Sequence, residues 1–520
     1  MQLKNNTTLK VDSKRILALF ILVLLFFVTH IPRLGTDEMN PDALNWHARS
    51  EQYIDAIKSK DFIRTYQSYH PGVTLMLITG SPVELMKRIS GERIYDRYNY
   101  EVFHFIAKYT LNIVLLMLTV LAVFFLSKIV GFKVAYLVGL LLTLDTFFLG
   151  NARLLHMDVL LSLLTANALF CIFLALKQKT YRFFMLGSAF LSLALWTKNV
   201  SLVSISFVFL VLGVLFLLKK LSFRTTLVYG FTVFLGVVVI GYLILPALWV
   251  DPAKVVRRIY TNSTRVVEEG HEEKFFGKIT NNPGPFYYPI VFGYKLTPVI
   301  LILFLVGVGW LLTDLVKKLI KKDYTFSDSK RLFLYYLLAY FCIYFVSVEI
   351  AEKKIDRYLL PLFPIIYVVS SFYFFDILRF FSKKSVKFLY SFALLVTIGV
   401  PLYTYFPYYF VYNSPLLGGP VKAEKVIGQK SFGIGIFEVR DFLLENYGFV
   451  PVGFVDRKAM SAIYPSSMVW DARVSGPQHY TVLVLDSDEV APQSKDKFVY
   501  DKTIKIAGIN FWNFYVKKVQ

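Results

Sequence analysis

The sequence has little cysteine and little charge. Only two of its 520 residues are cysteines, Cys171 and Cys342, and both lie in strongly apolar segments, which excludes a disulfide framework and a cysteine zinc site. Charged residues make up 18% of the chain, whereas 56% are hydrophobic and the mean hydropathy is +0.53. Because a chain this poor in charge cannot bury its apolar surface in one soluble core, the composition predicts a polytopic membrane protein.

Acidic side chains are the scarcer charge, with 36 Asp and Glu against 57 Lys and Arg and a formal net charge of +21. The basic residues concentrate in every second short loop, around 128–133, 177–182, 219–224, 317–322 and 379–387, and before the first apolar run. Cytoplasmic loops are enriched in Lys and Arg. We therefore predict a plasma (inner) membrane protein with a cytoplasmic N-terminus, membrane lipids as partners and no nucleic-acid partner.

Two further features are missing. The first apolar run is followed by His30-Ile31-Pro32-Arg33 rather than by a small-residue cleavage site, so we interpret it as a retained span. No repeat of fixed period is present, which disfavours a transporter built from duplicated halves.

Long apolar segments are abundant, and each is long enough to cross about 30 Å of hydrocarbon as a helix. They predict about eleven transmembrane helices, at 16–31, 109–126, 134–149, 155–176, 183–196, 202–218, 226–250, 296–316, 332–348, 358–375 and 388–405.

The predicted organisation is a membrane module at 1–406 followed by an extracytoplasmic α+β domain at 407–520. Two long polar loops of the module, 33–108 and 251–295, fall on the same outer side. The first loop contains amphipathic helical segments near 45–58 and 72–88. In the tail, a helix near 435–447 precedes strand-like runs at 449–455, 480–485, 503–507 and 511–516.

Three carboxylates, Asp37, Glu38 and Asp42, follow the first span directly. A carboxylate at a membrane boundary is costly unless it meets a cation, a metal or a polar substrate, so this loop is a candidate functional site. The alternative is an ordinary solvated loop.

Other polar residues cluster at the predicted outer ends of spans. Arg153 and Asp158 flank a short turn, where Arg153 or His156 could simply neutralise Asp158. Arg357 opens a span that contains two prolines, and its planar guanidinium suits a lipid phosphate, whereas neighbouring Lys354 could snorkel toward headgroups. Additional candidates are Lys198, as a phosphate ligand, and His70, which is equally typical of a structural histidine.

Several of these motifs together resemble the GT-C superfamily of polyprenyl-phosphate-sugar-dependent glycosyltransferases. The residues are Asp37-Glu38, His70-Pro71-Gly72, the Arg153…Asp158 pair and the collar from Lys354 through Arg357 to Pro364. More narrowly, the chain is similar to bacterial and archaeal relatives of protein O-mannosyltransferases and aminoarabinose transferases. The resemblance spans about 30–450, with one departure: Gly72 stands where that group more often has a second proline.

The resemblance implies inverting transfer of a sugar from a polyprenyl-phosphate donor to a protein, lipid or glycan acceptor on the outer face. It implies catalytic roles for Asp37 as base, Glu38 as its neighbour and Asp158 as a reserve. Donor-phosphate contacts are expected from Arg357, Lys198, Arg153, His70 and Lys354, and acceptor or sugar contacts from Asp42, Trp46, Arg49 and Tyr69. The resemblance implies no definite cofactor, because metal dependence varies across the superfamily, and a divalent cation that bridges Asp37 and the donor phosphate is an open alternative.

The alternative function is a flippase or transporter for a lipid-linked sugar, which would also need basic groups for the phosphate. Transport requires a site near the bilayer midplane, whereas the ionisable residues here gather at one predicted face. We therefore favour the enzyme.

Overall fold

Helices dominate the computed structural model, which describes residues 13–68, 70–91, 99–268, 272–321, 328–428, 432–455, 457–486 and 493–518. Residues 13–320 form α1 Ser13–His30, α2 Pro41–Lys58, α3 Val73–Ser90, α4 Tyr100–Ile129, α5 Phe132–Leu144, α6 Thr146–Arg153, α7 Asp158–Gln178, α8 Tyr181–Thr197, α9 Leu202–Leu217, α10 Phe223–Ile244, α11 Ala247–Val250, α12 Pro252–Glu268, the hairpin β1 Glu273–Phe275 and β2 Lys278–Thr280, α13 Tyr287–Lys295 and α14 Pro298–Ile320. The remainder forms α15 Ser329–Ile350, the 3-10 helix Asp356–Leu362, α16 Phe363–Phe380, α17 Lys384–Thr404, α18 Gly419–Val426, α19 Ile436–Tyr447, β3 Val452–Phe454, α20 Arg457–Ser461, β4 Val469–Asp471, β5 Val482–Asp486, β6 Phe498–Ile506 and β7 Ile509–Lys517.

The predicted helical membrane fold is confirmed. Within the described ranges, nine helices are long and apolar enough to cross a membrane, or ten if α5 and α6, which meet at a bend of 58°, form one broken span. The eleven predicted segments correspond to these ten and to α8, which is one turn of helix shorter than most of the others at 17 residues.

The two central helices of the bundle are α7 and α16. Their most apolar windows are 94% and 83% buried, against 17% for α10 and for α17, which expose most of their apolar side chains at the periphery. The Ser162 hydroxyl of α7 donates to the Leu360 carbonyl, 2.8 Å away, in the 3-10 helix that leads into α16. The chain therefore brings Asp158, the first residue of α7, close to Arg357 in the 3-10 helix that precedes α16.

The break between α5 and α6 has a polar cause. Asp145 caps α6 by accepting a hydrogen bond from the Phe148 amide at 3.3 Å, and its second oxygen accepts one from the Thr297 hydroxyl at 2.6 Å. Side-chain capping of this kind satisfies amides that a helix start leaves open. The bend directs α6 so that Arg153 lies at its end, beside the first loop.

The tail forms a five-stranded sheet in the order β4-β3-β5-β7-β6, with α19 packed near it. β3 pairs in parallel with β4 and β5, whereas β5–β7 and β6–β7 are antiparallel. The predicted helix and four strand runs are present, β6 is longer than expected, and β4 was not predicted. Met39, Tyr100 and Leu154 belong to the same apolar core as the sheet, so the tail packs on the first loop.

Candidate active site

Seven of the twelve predicted site residues fall into two polar clusters, together with Lys108 and His156. The inner cluster consists of Asp37, Glu38, Lys108 and Arg153 and is completely buried. The outer cluster consists of Asp42, His156, Asp158, Lys198 and Arg357 and includes the partly exposed side chain of Asp42. In each cluster the guanidinium lies over an aromatic ring, that of Arg153 over Tyr409 and that of Arg357 over Phe432.

Asp37 is held from both sides within the inner cluster. Lys108 of α4 donates to its Oδ1, and Arg153 donates to its Oδ2 from Nε at 3.0 Å and from Nη2 at 2.8 Å. Arg153 donates its remaining hydrogens to backbone carbonyls at the end of α1, those of Thr29, His30 and Pro32. The Asp37 and Arg153 side chains have 0% exposure. A buried charge survives only when it is paired in this way.

Glu38 lies next to this ion triad but pairs differently. Its carboxylate is buried and makes no ion pair with a described residue within 4.0 Å, while its backbone carbonyl lies 3.3 Å from His104 Nε2. Burial and the neighbouring negative charge of Asp37 raise the pKa of Glu38 to about 8, although Lys108 and Arg153 oppose the shift. At neutral pH Glu38 is therefore mostly protonated.

The outer cluster is centred on Asp158. Its Oδ1 accepts from Lys198 Nζ at 2.6 Å, and its Oδ2 lies 3.0 Å from His156 Nδ1 and 3.3 Å from Arg357 Nε. Asp42 adds a second carboxylate, whose Oδ2 lies 3.1 Å from Arg357 Nη2 and 3.6 Å from His156 Nε2. Lys198 and Arg357 thus pair with Asp158, whereas Lys108 and Arg153 pair with Asp37.

Asp42 stays ionised although it is partly buried. Burial alone would raise its pKa, but the hydrogen bond and charge of His156 and the charge of Arg357 outweigh this, and the pKa of Asp42 lies below its ordinary value. Nearby, burial and then the charge of Lys198 hold the pKa of His70 well below its usual range. His70 is therefore a neutral imidazole at neutral pH.

The His70-Pro71-Gly72 turn packs against α2. Gly72 has φ +58° and caps α3, and a Cβ there would lie 2.4 Å from the Trp46 ring. Proline is locked near φ −65° and cannot adopt the positive φ of this turn, which explains why Gly72 stands where the related motif has a second proline. Trp46 is buried, and Arg49 lies over its ring at 4.7 Å. Tyr69 lies outside the described residues.

Lys354 lies outside both clusters. It is buried, pairs with Glu349, and donates to the Gly284 carbonyl at 3.0 Å. It therefore ties the loop before α13 to the end of α15.

Sequence reasoning missed Lys108. It was interpreted as the end of a polar loop, whereas the structure places it within the continuous helix α4 and buries it completely. A lysine flanked by a long apolar run was the available signal, because an ionisable group at membrane depth needs a partner. Among the described residues, no group of three or more His, Cys, Asp or Glu side chains is placed to hold a metal ion.

The chain shares its fold with a protein of known structure. The apo structure of ArnT from Cupriavidus metallidurans matches with a TM-score of 0.50 and 12% identity, over 97% of both chains. The same enzyme bound to undecaprenyl phosphate matches with a TM-score of 0.48 and 13% identity, over 87% of this chain and 75% of that one. AglB from Archaeoglobus fulgidus, an archaeal oligosaccharyltransferase in complex with an inhibitory peptide and a dolichol-phosphate, matches with a TM-score of 0.47 and 10% identity, over 90% and 65%.

No protein-family model and no curated protein sequence matches the chain. At these identities the structural likeness establishes the fold. Together with its apolar helices, the fold makes the chain an integral membrane protein.

Proposed function

We propose that the protein is an inverting glycosyltransferase that moves a sugar from a polyprenyl-phosphate donor to a hydroxyl or amine of a protein, lipid or glycan acceptor. The observation that carries this proposal is the outer cluster, in which two cations and two carboxylates converge at the start of α7 and of the 3-10 helix that precedes α16. The GT-C fold supports it, since its ArnT neighbour has been crystallised with undecaprenyl phosphate.

The donor phosphate would meet Arg357 and Lys198. A sugar phosphate needs its leaving group stabilised as negative charge develops on the phosphate oxygens. The guanidinium offers paired donors to phosphate, and the ammonium adds a point charge. Asp158 contacts both cations and so acts as a positioning residue that aims them. His70, as a neutral imidazole, would donate or accept a hydrogen bond rather than supply charge.

The base we propose is Asp42, in place of Asp37. A base must reach the acceptor, and the Asp42 side chain is 38% exposed whereas Asp37 is 0% exposed with both oxygens engaged. The lowered pKa of Asp42 keeps its carboxylate anionic, so it can accept a hydrogen bond from the acceptor hydroxyl. A carboxylate with a low pKa is a weak base, so the proton passes to Asp42 only as the bond to the anomeric carbon forms and the hydroxyl becomes strongly acidic. In the step, the acceptor oxygen bonds to the anomeric carbon, its proton passes to Asp42, and the phosphate leaves with the electron pair of the broken bond.

The remaining predicted residues receive positioning roles in this proposal. The ion triad of Asp37, Lys108 and Arg153 anchors the loop that leads into α2 and thereby places Asp42. Lys354 fixes the entry to the 3-10 helix that carries Arg357. Trp46 and Arg49 stay candidates for acceptor contacts from α2. We further propose that the site and the domain at 407–520 face the extracytoplasmic side. The proposed step uses no divalent cation.

Sugar transfer in proteoliposomes tests the proposal. The purified full-length chain would be incubated with radiolabelled polyprenyl-phosphate sugars and an acceptor extract. We expect transfer by the wild type, and a decrease of about 10²–10⁴-fold with Asp42→Asn, because the proton acceptor is removed while shape is kept.

Asp37→Asn is the matched comparison. We expect it to lower the melting temperature, because it leaves Lys108 and Arg153 buried with less negative charge, at a cost of about 3–5 kcal/mol. Asp42→Asn should lower the melting temperature less, because Arg357 keeps Asp158 as a partner. Full activity of Asp42→Asn would remove it as the base, and donor crossing the bilayer without any transfer would favour the flippase.

A further inference from the structure

A basic cavity lies at the opposite ends of the helices from the outer cluster. Two adjoining cavities of about 300 and 370 Å³ share Val130, Val134, Phe375 and Arg379 in their walls. They lie between the α4–α5 turn and the ends of α15, α16 and α17 that the Lys and Arg distribution predicts to be cytoplasmic. The proposed sugar transfer uses none of these residues.

The lining charge is positive. Five basic side chains line the two cavities, Lys133, Lys330, Arg331, Arg379 and Lys387, against the two acidic side chains Asp328 and Asp376. The acids lie near the arginines, with Arg379 Nη1 at 3.2 Å from Asp376 and Arg331 Nε at 3.8 Å from Asp328. Within the described part of the chain, Lys133 and Lys387 form no ion pair within 4.0 Å, so their charges face the cavity uncompensated.

Helix starts add to this positive potential. Lys133 and Lys387 lie in the first turns of α5 and α17, whose capping positions, Gly131 and Lys383, form no side-chain hydrogen bond. A Cβ at Gly131 would meet nothing within 4 Å, so a ligand can approach the backbone there. Backbone amides at helix starts bind anions, and two such starts beside basic side chains are well suited to a phosphate.

The surroundings favour a lipid over a soluble anion. Phe380, next to Arg379, is 75% exposed, and Phe388, next to Lys387, is 70% exposed. Phe388 belongs to the exposed apolar surface of α17, with Phe392 and Leu395, along which acyl chains can lie while a headgroup enters the cavity.

We propose that this cavity binds the phosphodiester headgroup of an anionic phospholipid from the adjacent leaflet. Lys133, Lys387 and Arg379 contact the phosphate oxygens, and the apolar rings at the rim contact the acyl chains. The site is independent of the sugar-transfer reaction.

Native mass spectrometry of the delipidated full-length protein in mild detergent tests this. The protein would be titrated separately with cardiolipin, phosphatidylglycerol and phosphatidylcholine. We expect the wild type to retain the two anionic lipids preferentially. The double variant Lys133→Gln/Lys387→Gln should bind them about tenfold more weakly, since each cation near a membrane surface contributes appreciably to binding an anionic lipid.

The control is Lys177→Gln/Lys220→Gln, which removes two exposed lysines from loops predicted on the same side but outside the cavity. It should retain anionic lipid as the wild type does. Equal losses in both double variants, or no preference over phosphatidylcholine, would overturn the proposal. The melting temperature would also be measured with inorganic phosphate and with cardiolipin. An equal rise with both would overturn the assignment of the ligand as a lipid. None of these readouts depends on sugar transfer.

Discussion

At the scale of single residues, the first loop contains carboxylates with opposite protonation. Glu38 and Asp42 are four residues apart, yet the pKa of Glu38 is raised to about 8 and the pKa of Asp42 is lowered. Burial beside a second carboxylate explains the first shift, and contact with His156 and Arg357 explains the second. The local partner, not the residue type, decides which acid is an anion.

Glu38 should make stability depend on pH. Its pKa of about 8 lies above the ordinary value of 4.5, so the folded protein holds a proton that the unfolded chain releases. The resulting stability is fully present below pH 4.5 and is lost as the pH rises through 8. We expect Glu38→Gln to reduce the fall in melting temperature between about pH 6 and pH 9, measured by thermal denaturation in detergent. A fall as steep as in the wild type would show that another group titrates.

The sequence predicted the residue types of the site better than their pairing. Asp42, Asp158, Lys198 and Arg357 were all predicted as site residues, and they do meet. Arg153 was expected at a donor phosphate but lies against Asp37. The Arg357–Asp42 and Arg153–Asp37 pairs join residues 315 and 116 positions apart, and the Lys198–Asp158 pair joins residues on different helices, so only chain packing could select among the available cations.

At the scale of elements, the packing of α2 against the start of α3 depends on one close contact, between Gly72 and Trp46. α2 and α3 were predicted from amphipathic patterns near 45–58 and 72–88, and both form with slightly longer bounds. Their junction depends on Gly72, whose left-handed conformation and contact with Trp46 leave no room for a side chain.

We therefore expect Gly72→Ala to destabilise the protein more than Gly91→Ala. Both glycines have left-handed φ, of +58° and +71°, but a Cβ at Gly91 would meet nothing within 4 Å. The control should cost about 1 kcal/mol for the backbone, and Gly72→Ala about 1–3 kcal/mol more for the clash with Trp46. Melting temperatures of the two variants measure the difference, and equal shifts would show that Trp46 moves aside without cost.

At the scale of the whole molecule, the tail holds the first loop in place. The Met39 amide donates to the Gly433 carbonyl at 3.1 Å, Glu38 and Ile434 form an isolated antiparallel bridge, and Arg33 pairs with Glu438 at 2.8 Å. A folded tail is thus part of the environment of the proposed active site. The domain boundary at 407 stays a prediction.

Gly433→Ala in the tail should lower the activity of the proposed active site. A Cβ at this position would lie 1.7 Å from the Met39 carbonyl oxygen, so the loop carrying Asp42 must shift. Gly508 has a similar φ, +82°, with open space around it, and Gly508→Ala is the matched control. We expect Gly433→Ala to lose about tenfold or more of kcat, as small displacements at reacting groups do, while the control retains it. Equal kcat in both would show that the tail does not position the loop.

The predicted orientation can be tested by thiol labelling of intact cells. Val474, which is 83% exposed in the tail, and Lys177, in a predicted cytoplasmic loop, would be changed singly to cysteine in a Cys171→Ser/Cys342→Ser background. A membrane-impermeant reagent should modify Val474→Cys and spare Lys177→Cys until the membrane is permeabilised. The reverse pattern would place the outer cluster on the cytoplasmic side.

The sequence by itself determined the class of fold, because the lengths of apolar runs, the strand patterns of the tail and the polar loop after α1 are local properties. An apolar run in lipid forms a helix whatever it packs against, because its backbone groups must form hydrogen bonds within the segment. Tertiary structure alone decided that α7 and α16 occupy the centre, and that α7 and the 3-10 helix before α16 begin at the same polar cluster. It also decided that Lys108 and Arg153 neutralise Asp37 while Asp42 meets Arg357. The electrostatic partner of a buried charge depends on distances of a few ångströms between remote segments, and only the packed bundle sets those distances.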